Sequence, residues 1–232
     1  MFINGFDILW DEVDDYVADI QSIRSIDQLT FTKPVTFFCG ENGSGKSTLL
    51  EALAIKNGLN PEGGTRNYNF STYDSYSSLH KHMRLWRSRK PDWMYFLRAE
   101  SFYNVATKEM EYSGVFSERY HDQSHGQSFF SVLMKQTNKN GLYLLDEPEA
   151  ALSCQNQLAL LYLIQSCVKQ NCQFIIATHS PILLGFPGAQ ILSFDEGKVE
   201  EVDYKSTSSY QTMKLFLDRY DYFVEDIKEN EN

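Results

Sequence analysis

The chain has 232 residues, 42% of them apolar, and a formal net charge of −10. That length suits one domain, or one domain with a small insertion, and is enough to bury a full core. The acidic balance argues against a whole-surface attraction to nucleic acid. No apolar run approaches the length of a membrane span.

Residues 1–20 carry Asp7, Asp11, Glu12, Asp14, Asp15 and Asp19 and no basic residue. That pattern matches neither a secretory nor a mitochondrial targeting peptide. Residues 20–39 read as one or two strands, ending in the β-branched and aromatic run Val35-Thr36-Phe37-Phe38-Cys39. Gly40-Glu41-Asn42-Gly43-Ser44-Gly45-Lys46-Ser47-Thr48 follows directly and fits the phosphate-cradle pattern G-x-x-x-x-G-K-[ST]. Leu49 to Ala54 then reads as a helix with one apolar face. Strand, glycine loop and helix are what triphosphate binding requires. Glycines let backbone N–H groups curve around phosphate oxygens, where a Cβ would block the curvature. The helix N-terminus adds its partial positive charge. Lys46 is placed to reach the β- and γ-phosphates, and the Ser47 hydroxyl to ligate Mg²⁺.

Asn57 to Asn69 is rich in Gly, Asn and Pro and reads as a loop. From Tyr73 to about Leu97 the pattern is mixed and mostly helical. Within it, His80 to Lys90 carries Lys81, Arg84, Arg87, Arg89 and Lys90, with Trp86 inside the run and Trp93 beyond it. Such a run serves either as a contact for nucleic acid or an acidic partner, or as a solvated helix face with a tryptophan docked inward, and the second reading is preferred. Glu111 to Gln123 is polar, breaks at Gly114 and reads as loop; Ser128 to Lys135 has apolar residues at helical spacing.

Leu142-Tyr143-Leu144-Leu145 and Gln173-Phe174-Ile175-Ile176-Ala177-Thr178 are strong strand signals. Gln155 to Gln170 between them is helical, with Leu158, Leu161, Tyr162 and Ile164 on its apolar side. Strand, helix and strand of these lengths imply a crossover and a parallel sheet. The first strand ends in Asp146-Glu147, at the sheet edge where open α/β sheets bind ligands. Behind a phosphate loop, Asp146 suits a Mg²⁺ site and Glu147 suits a base for the attacking water. His179 closes the second strand, before Pro181, and can hydrogen-bond a γ-phosphate. Ile191 to Phe194, Asp195-Glu196-Gly197 and Lys198 to Val202 read as a hairpin. The tail from Tyr210 reads as an acidic, aromatic-rich helix. Cys39, Cys154, Cys167 and Cys172 lack paired C-x-x-C spacing and read as reduced thiols of a cytoplasmic protein, Cys39 as a small apolar filler.

Gly40 to Thr48, Asp146-Glu147-Pro148-Glu149 and Ala177-Thr178-His179-Ser180 together resemble the ABC-type ATPase superfamily. Within it the chain is similar to the small soluble AAA/ABC-like ATPases of the chromosome-maintenance, recombination and overcoming-lysogenization-defect branch. The resemblance covers essentially the whole chain. It implies an α/β P-loop fold of ABC type: a mostly parallel core sheet flanked by helices, a small N-terminal antiparallel β part and a helical insertion over about residues 72–135, all in a single domain of residues 1–232. It implies ATP and Mg²⁺ as cofactors, with ATP chosen over GTP by family rather than by any aromatic residue visible here.

The same resemblance draws attention to Ser124-His125-Gly126-Gln127, which matches the family's Leu-Ser-Gly-Gly-Gln signature at Ser124, Gly126 and Gln127 and departs from it at His125. In the family this loop touches the γ-phosphate held by a second subunit. The implied assembly is therefore a homodimer formed on ATP binding, a nucleotide-timed clamp or switch with Glu147 and His179 as catalytic residues. Glu100, after the apolar run ending at Leu97, stands in for the family's usual metal-contacting glutamine. Ser153 replaces the aspartate of the interface loop that follows the catalytic glutamate. Arg66 is either a phosphate or partner contact or a solvated loop arginine. Too few residues separate the phosphate loop from Ser124 for long coiled-coil arms. Nucleic acid or a second protein subunit remain possible partners. The competing functions are the nucleotide-binding subunit of an ABC transporter and a non-hydrolysing ATP-gated scaffold.

Overall fold

The computed structural model describes residues 1–13, 15–65, 76–98, 134, 137 and 139–229. The core is a six-stranded sheet made of β3 (Val35–Cys39), β5 (Trp93–Arg98), β6 (Gly141–Asp146), β7 (Gln173–Ala177), β8 (Gln190–Ser193) and β9 (Glu200–Glu201), in the order β5-β6-β7-β3-β8-β9. Every pairing is parallel except the last, in which β9 folds back antiparallel on β8. A second, three-stranded antiparallel sheet is formed by β1 (Ile3–Ile8), β2 (Gln28–Thr30) and β4 (Met83–Arg87), in the order β2-β1-β4. The fold is therefore α/β, a mostly parallel core sheet flanked by helices with a small antiparallel part, as the resemblance implies.

Both faces of the large sheet are buried, which is why its strands are apolar at successive positions instead of alternating with polar ones. On one face Phe38, Leu142, Leu144, Ile175 and Leu192 pack with α2 (Lys46–Lys56) and the small sheet, through Leu49, Leu53, Phe6 and Ile8. On the other, Phe37, Tyr143, Leu145, Phe174 and Ile176 pack with α4 (Cys154–Val168) and α5 (Pro181–Leu184), through Leu160, Ile164, Leu183 and Leu184. Tyr143 and Phe174 stack with ring centroids 4.8 Å apart.

Two buried glutamines tie the chain's early segments to the large sheet. The Gln173 side chain, fully buried, accepts from the N–H groups of Phe2 at 2.6 Å and Ile3 at 3.0 Å and donates to the Ile3 carbonyl at 2.7 Å. Gln190 accepts from the Thr32 N–H at 3.1 Å and donates to the Thr30 carbonyl at 3.2 Å. Backbone groups that no ladder satisfies thus find partners without water.

Several expectations are corrected. The stretch from Tyr73 to Leu97 is not mostly helical: its described part holds the single-turn α3 (Leu79–His82) and then β4 and β5. Within the expected insertion, residues 83–87 and 93–98 are strand, while 72–75, 99–133 and 135 lie outside the described residues. A five-residue apolar run such as Trp93 to Leu97 has no period that separates strand from helix, and burial between sheet neighbours decides it. Apart from His80 and Lys81 on the single turn of α3, the basic run lies on β4 and the turn after it. Arg84 pairs with Asp7 at 2.8 Å, Arg87 donates to Lys56 O and Asn57 Oδ1 at 3.1 Å each, and Arg89 lies 4.6 Å from the Phe2 ring centroid. Trp86 covers Gly5 and donates from its indole to Asp7 at 2.6 Å.

On α4 the inward side is Gln157, Leu160, Ile164 and Cys167; Leu158 is 50% exposed and Tyr162 79% exposed. Gln157 tolerates burial because it donates to Leu152 O at 3.0 Å and accepts from Ser180 Oγ at 2.6 Å. The expected tail helix is two helices, α6 (Ser208–Asp218) and α7 (Tyr220–Glu229), broken at Arg219. The expected hairpin of β8 and β9 is present.

Candidate nucleotide site

The site forms at the C-terminal ends of β3, β6 and β7, where the strand order brings three separate segments together. β3 opens into the Gly40–Thr48 loop. Gly40, Gly43 and Gly45 have φ of 137°, 76° and 92°, and Gly45 is the N-cap of α2. The N–H groups of the first helical turn have no acceptor inside their own helix. The loop is held from two sides. Ser22 Oγ donates to the Ser44 carbonyl, and Ile20 and Ile23, flanking and within α1 (Gln21–Arg24), pack against Gly45 so closely that a Cβ there would lie 2.7 Å from Ile23 Cγ1. On the other side Asp195, just past β8, accepts from the Glu41 N–H at 2.9 Å and from Ser193 Oγ at 3.0 Å.

Lys46 is 4% exposed, and its Nζ donates to the carbonyls of Gly40 at 2.8 Å and Glu41 at 2.7 Å. Burial pushes its ammonium pKa down, against the opposing pull of Glu147, Asp195, Cys39 and Asp146. Cys39 is a buried filler as expected, and burial pushes its thiol up to about 11.

Asp146 ends β6 beside the loop, and Ser47 Oγ donates to its Oδ1 at 2.8 Å. A hydroxyl and a carboxylate, both hard oxygen donors, fit Mg²⁺ shared with phosphate oxygens. Among the described residues no group of three or more His, Cys, Asp or Glu side chains could hold a metal ion without such help. Glu147 follows in the left-handed region, φ 48° and ψ 50°, which turns it out of the strand direction. His179 leaves β7 so that its Nε2 lies 3.7 Å from Glu147 Oε1; that buried nitrogen has no hydrogen-bond partner among the described residues. The backbone N–H of His179 donates to Glu149 Oε1 at 2.6 Å, which fixes the turn carrying the imidazole.

Ser47, Asp146, Glu147, His179 and the Gly40–Thr48 loop are thus brought together. Ser153 is the N-cap of α4, its Oγ accepting from the Asn156 N–H at 3.3 Å. Arg66, Glu100, Ser124, His125, Gly126 and Gln127 lie outside the described residues. Three residues went unnoticed in sequence. Arg98, at the end of β5, pairs with Glu51 on α2 at 2.7 Å and stands 3.8 Å from Asp146. Burial raises the Glu51 carboxyl pKa, with Arg98 opposing. Asp195 is the third; a strand followed by an aspartate is too common a pattern to have marked it. A cavity of about 510 Å³ opens beside Gly40, Glu41 and His179 and is walled by Met213, Phe216 and Phe223 of α6 and α7.

A family model described as AAA domain matches residues 18–80, and one described as AAA ATPase domain matches residues 125–184, a span that includes Asp146, Glu147 and His179. Both matched segments are similar to AAA-type ATPase domains. A relative in Haemophilus influenzae, an uncharacterized ABC transporter ATP-binding protein, is 27% identical over 200 residues, 74% of each chain. Among solved structures, the SMC head domain from Thermotoga maritima is 13% identical with a TM-score of 0.47, covering 87% of this chain and 98% of that one. CbiO1 from Clostridium perfringens, part of the ABC transporter complex cbiONQ, is 18% identical with a TM-score of 0.45, covering 97% and 100%. No helix among the described residues is long and apolar enough to cross a membrane.

Proposed function

We propose that this ATPase domain binds Mg·ATP at the Gly40–Thr48 loop, hydrolyses it in the cytoplasm, and works as an ATP-dependent head-to-tail homodimer. The observation that carries this reading is the convergence of Lys46, the Ser47–Asp146 pair and the Glu147–His179 pair on one sheet edge. Loop N–H groups and the Lys46 ammonium hold the β- and γ-phosphates. Ser47 and Asp146 would hold magnesium, which would supply neutralisation of the phosphate charge. Glu147 accepts the proton of the attacking water, and the unpartnered Nε2 of His179 orients that water or the γ-phosphate. Glu100 is proposed as an additional metal contact.

The dimer follows from the signature-like Ser124, Gly126 and Gln127, proposed to complete the γ-phosphate site of the second copy. The pair is isologous, so each copy supplies one loop and receives one. Loss of the γ-phosphate removes what joins the two copies, and the clamp opens. The test is phosphate release with Mg²⁺ over a range of protein concentrations. The rate per chain should rise with concentration and vanish in Lys46→Ala; a concentration-independent rate would contradict the dimer.

The Haemophilus influenzae relative, an uncharacterized ABC transporter ATP-binding protein, favours a second reading, the ATP-binding subunit of a transporter. Co-purification with a membrane protein would select it. Nucleotide binding without any phosphate release would select an ATP-gated scaffold.

A further inference from the structure

Ser47 and Glu51 lie one turn apart on α2, so their side chains share a face. Each reaches the end of a different strand. Ser47 Oγ donates to Asp146 Oδ1 at 2.8 Å on β6, and Arg98 Nη1, on β5, donates to Glu51 Oε2 at 2.7 Å. Arg98 and Asp146 are register partners across β5 and β6, and Arg98 Nε stands 3.8 Å from Asp146 Oδ2. The four side chains close a ring between the phosphate-loop helix and the sheet.

The guanidinium is shared unequally. Among the described residues it makes a short charge-assisted bond to Glu51, a longer one from the same nitrogen to the Pro61 carbonyl at 3.4 Å, and only a long contact to Asp146. Both carboxylates are nearly buried, with side chains 14% and 9% exposed, so screening is weak and their charges count. A guanidinium seated fully on Asp146 would neutralise the carboxylate that magnesium needs.

We propose that Glu51 is a positioning residue for the metal: it anchors Arg98 against α2 and so leaves the Asp146 carboxylate charged and turned toward the Ser47 hydroxyl. This rests on the magnesium-nucleotide reading above. Arg98 in turn keeps two buried carboxylates from repelling each other. Glu51 and Arg98 therefore act on the metal in opposite directions.

The test titrates Mn²⁺ into the protein with ADP and reads bound metal by electron paramagnetic resonance, with a melting curve for each variant. Glu51→Gln should weaken Mn²⁺ binding about tenfold or more, Arg98→Gln should tighten it, and the double variant should return to within about threefold of wild type. A ring that served only to hold the fold would lower the melting temperature of all three and leave the Mn²⁺ midpoint in place, which would overturn the proposal. So would a double variant as weak as Glu51→Gln. If Glu51→Gln does not fold, Arg98→Gln decides alone: tighter binding supports the proposal, and equal or weaker binding overturns it. A wild type that binds no Mn²⁺ with ADP would overturn the magnesium reading itself, a result distinct from wild-type binding that the variants leave unchanged.

Discussion

Replacing Gly45 by alanine tests how the phosphate loop is held. At φ 92° an alanine pays about 1 kcal/mol for the left-handed conformation. Its Cβ would also sit 2.7 and 2.8 Å from Ile23 Cγ1 and Cδ1 and 2.9 Å from Ile20 Cγ2. Ile23 is fully buried, so α1 must shift bodily, an overpacking cost of about 2 kcal/mol. The total of about 3 kcal/mol corresponds to a melting temperature lower by about 6–12 °C for a chain of this size. Gly43→Ala is the matched control. Its φ is 76°, but nothing lies within 4 Å of its Cβ, so it pays the backbone cost alone, about 2–4 °C. Differential scanning calorimetry of the two variants measures the difference directly. Equal losses would refute the claim that α1 buttresses the loop.

Gln173→Leu removes three buried hydrogen bonds to the backbone of Phe2 and Ile3, and should destabilise the protein by about 3 kcal/mol or more in urea unfolding, with β1 losing amide-exchange protection first. At pH 8 a thiol reagent should modify Cys154 quickly and Cys39 only on unfolding, because Cys154 is exposed and the Cys39 thiol, at about 11, is protonated there; mass spectrometry of the labelled peptides reads both. Burial pushes the Asp7 pKa up, but hydrogen bonds from Arg84 and Trp86 outweigh it, and the group titrates below its ordinary value. Its contribution is therefore full above about pH 4 and is lost as pH falls through the depressed pKa, so Asp7→Asn should flatten the acid limb of a stability-against-pH curve.

The elements that announce themselves locally are the ones legible in sequence. Val35–Cys39, Leu142–Leu145 and Gln173–Ala177 are apolar runs bounded by turn chemistry, and the glycine loop has a fixed spacing. Asp146, Glu147 and His179 could be placed because each lies within two residues of the end of such a run. β1 was not legible as a strand, since Gly5 and the charged Asp7 interrupt it; only its partners Arg84 and Trp86 on β4 make Asp7 acceptable there. β4 was hidden for the matching reason: its cations look like a solvated face until Asp7 is placed opposite. The inward face of α4 was misjudged because Gln157 is buried by hydrogen bonds and Tyr162 is exposed, which reverses what polarity suggests. Arg98, Glu51 and Asp195 act through register and helix packing between segments far apart in the chain, and no short-range pattern encodes such contacts.

The measurement that bears most directly on the function is the mass of Glu147→Gln in solution by light scattering, with Mg·ATP and without nucleotide. With Glu147 as the proposed base, this variant should keep the phosphate cradle and lose hydrolysis, so the account predicts twice the monomer mass with ATP and the monomer mass without it. A chain that binds a fluorescent ATP analogue yet stays monomeric at every concentration would contradict the head-to-tail pair.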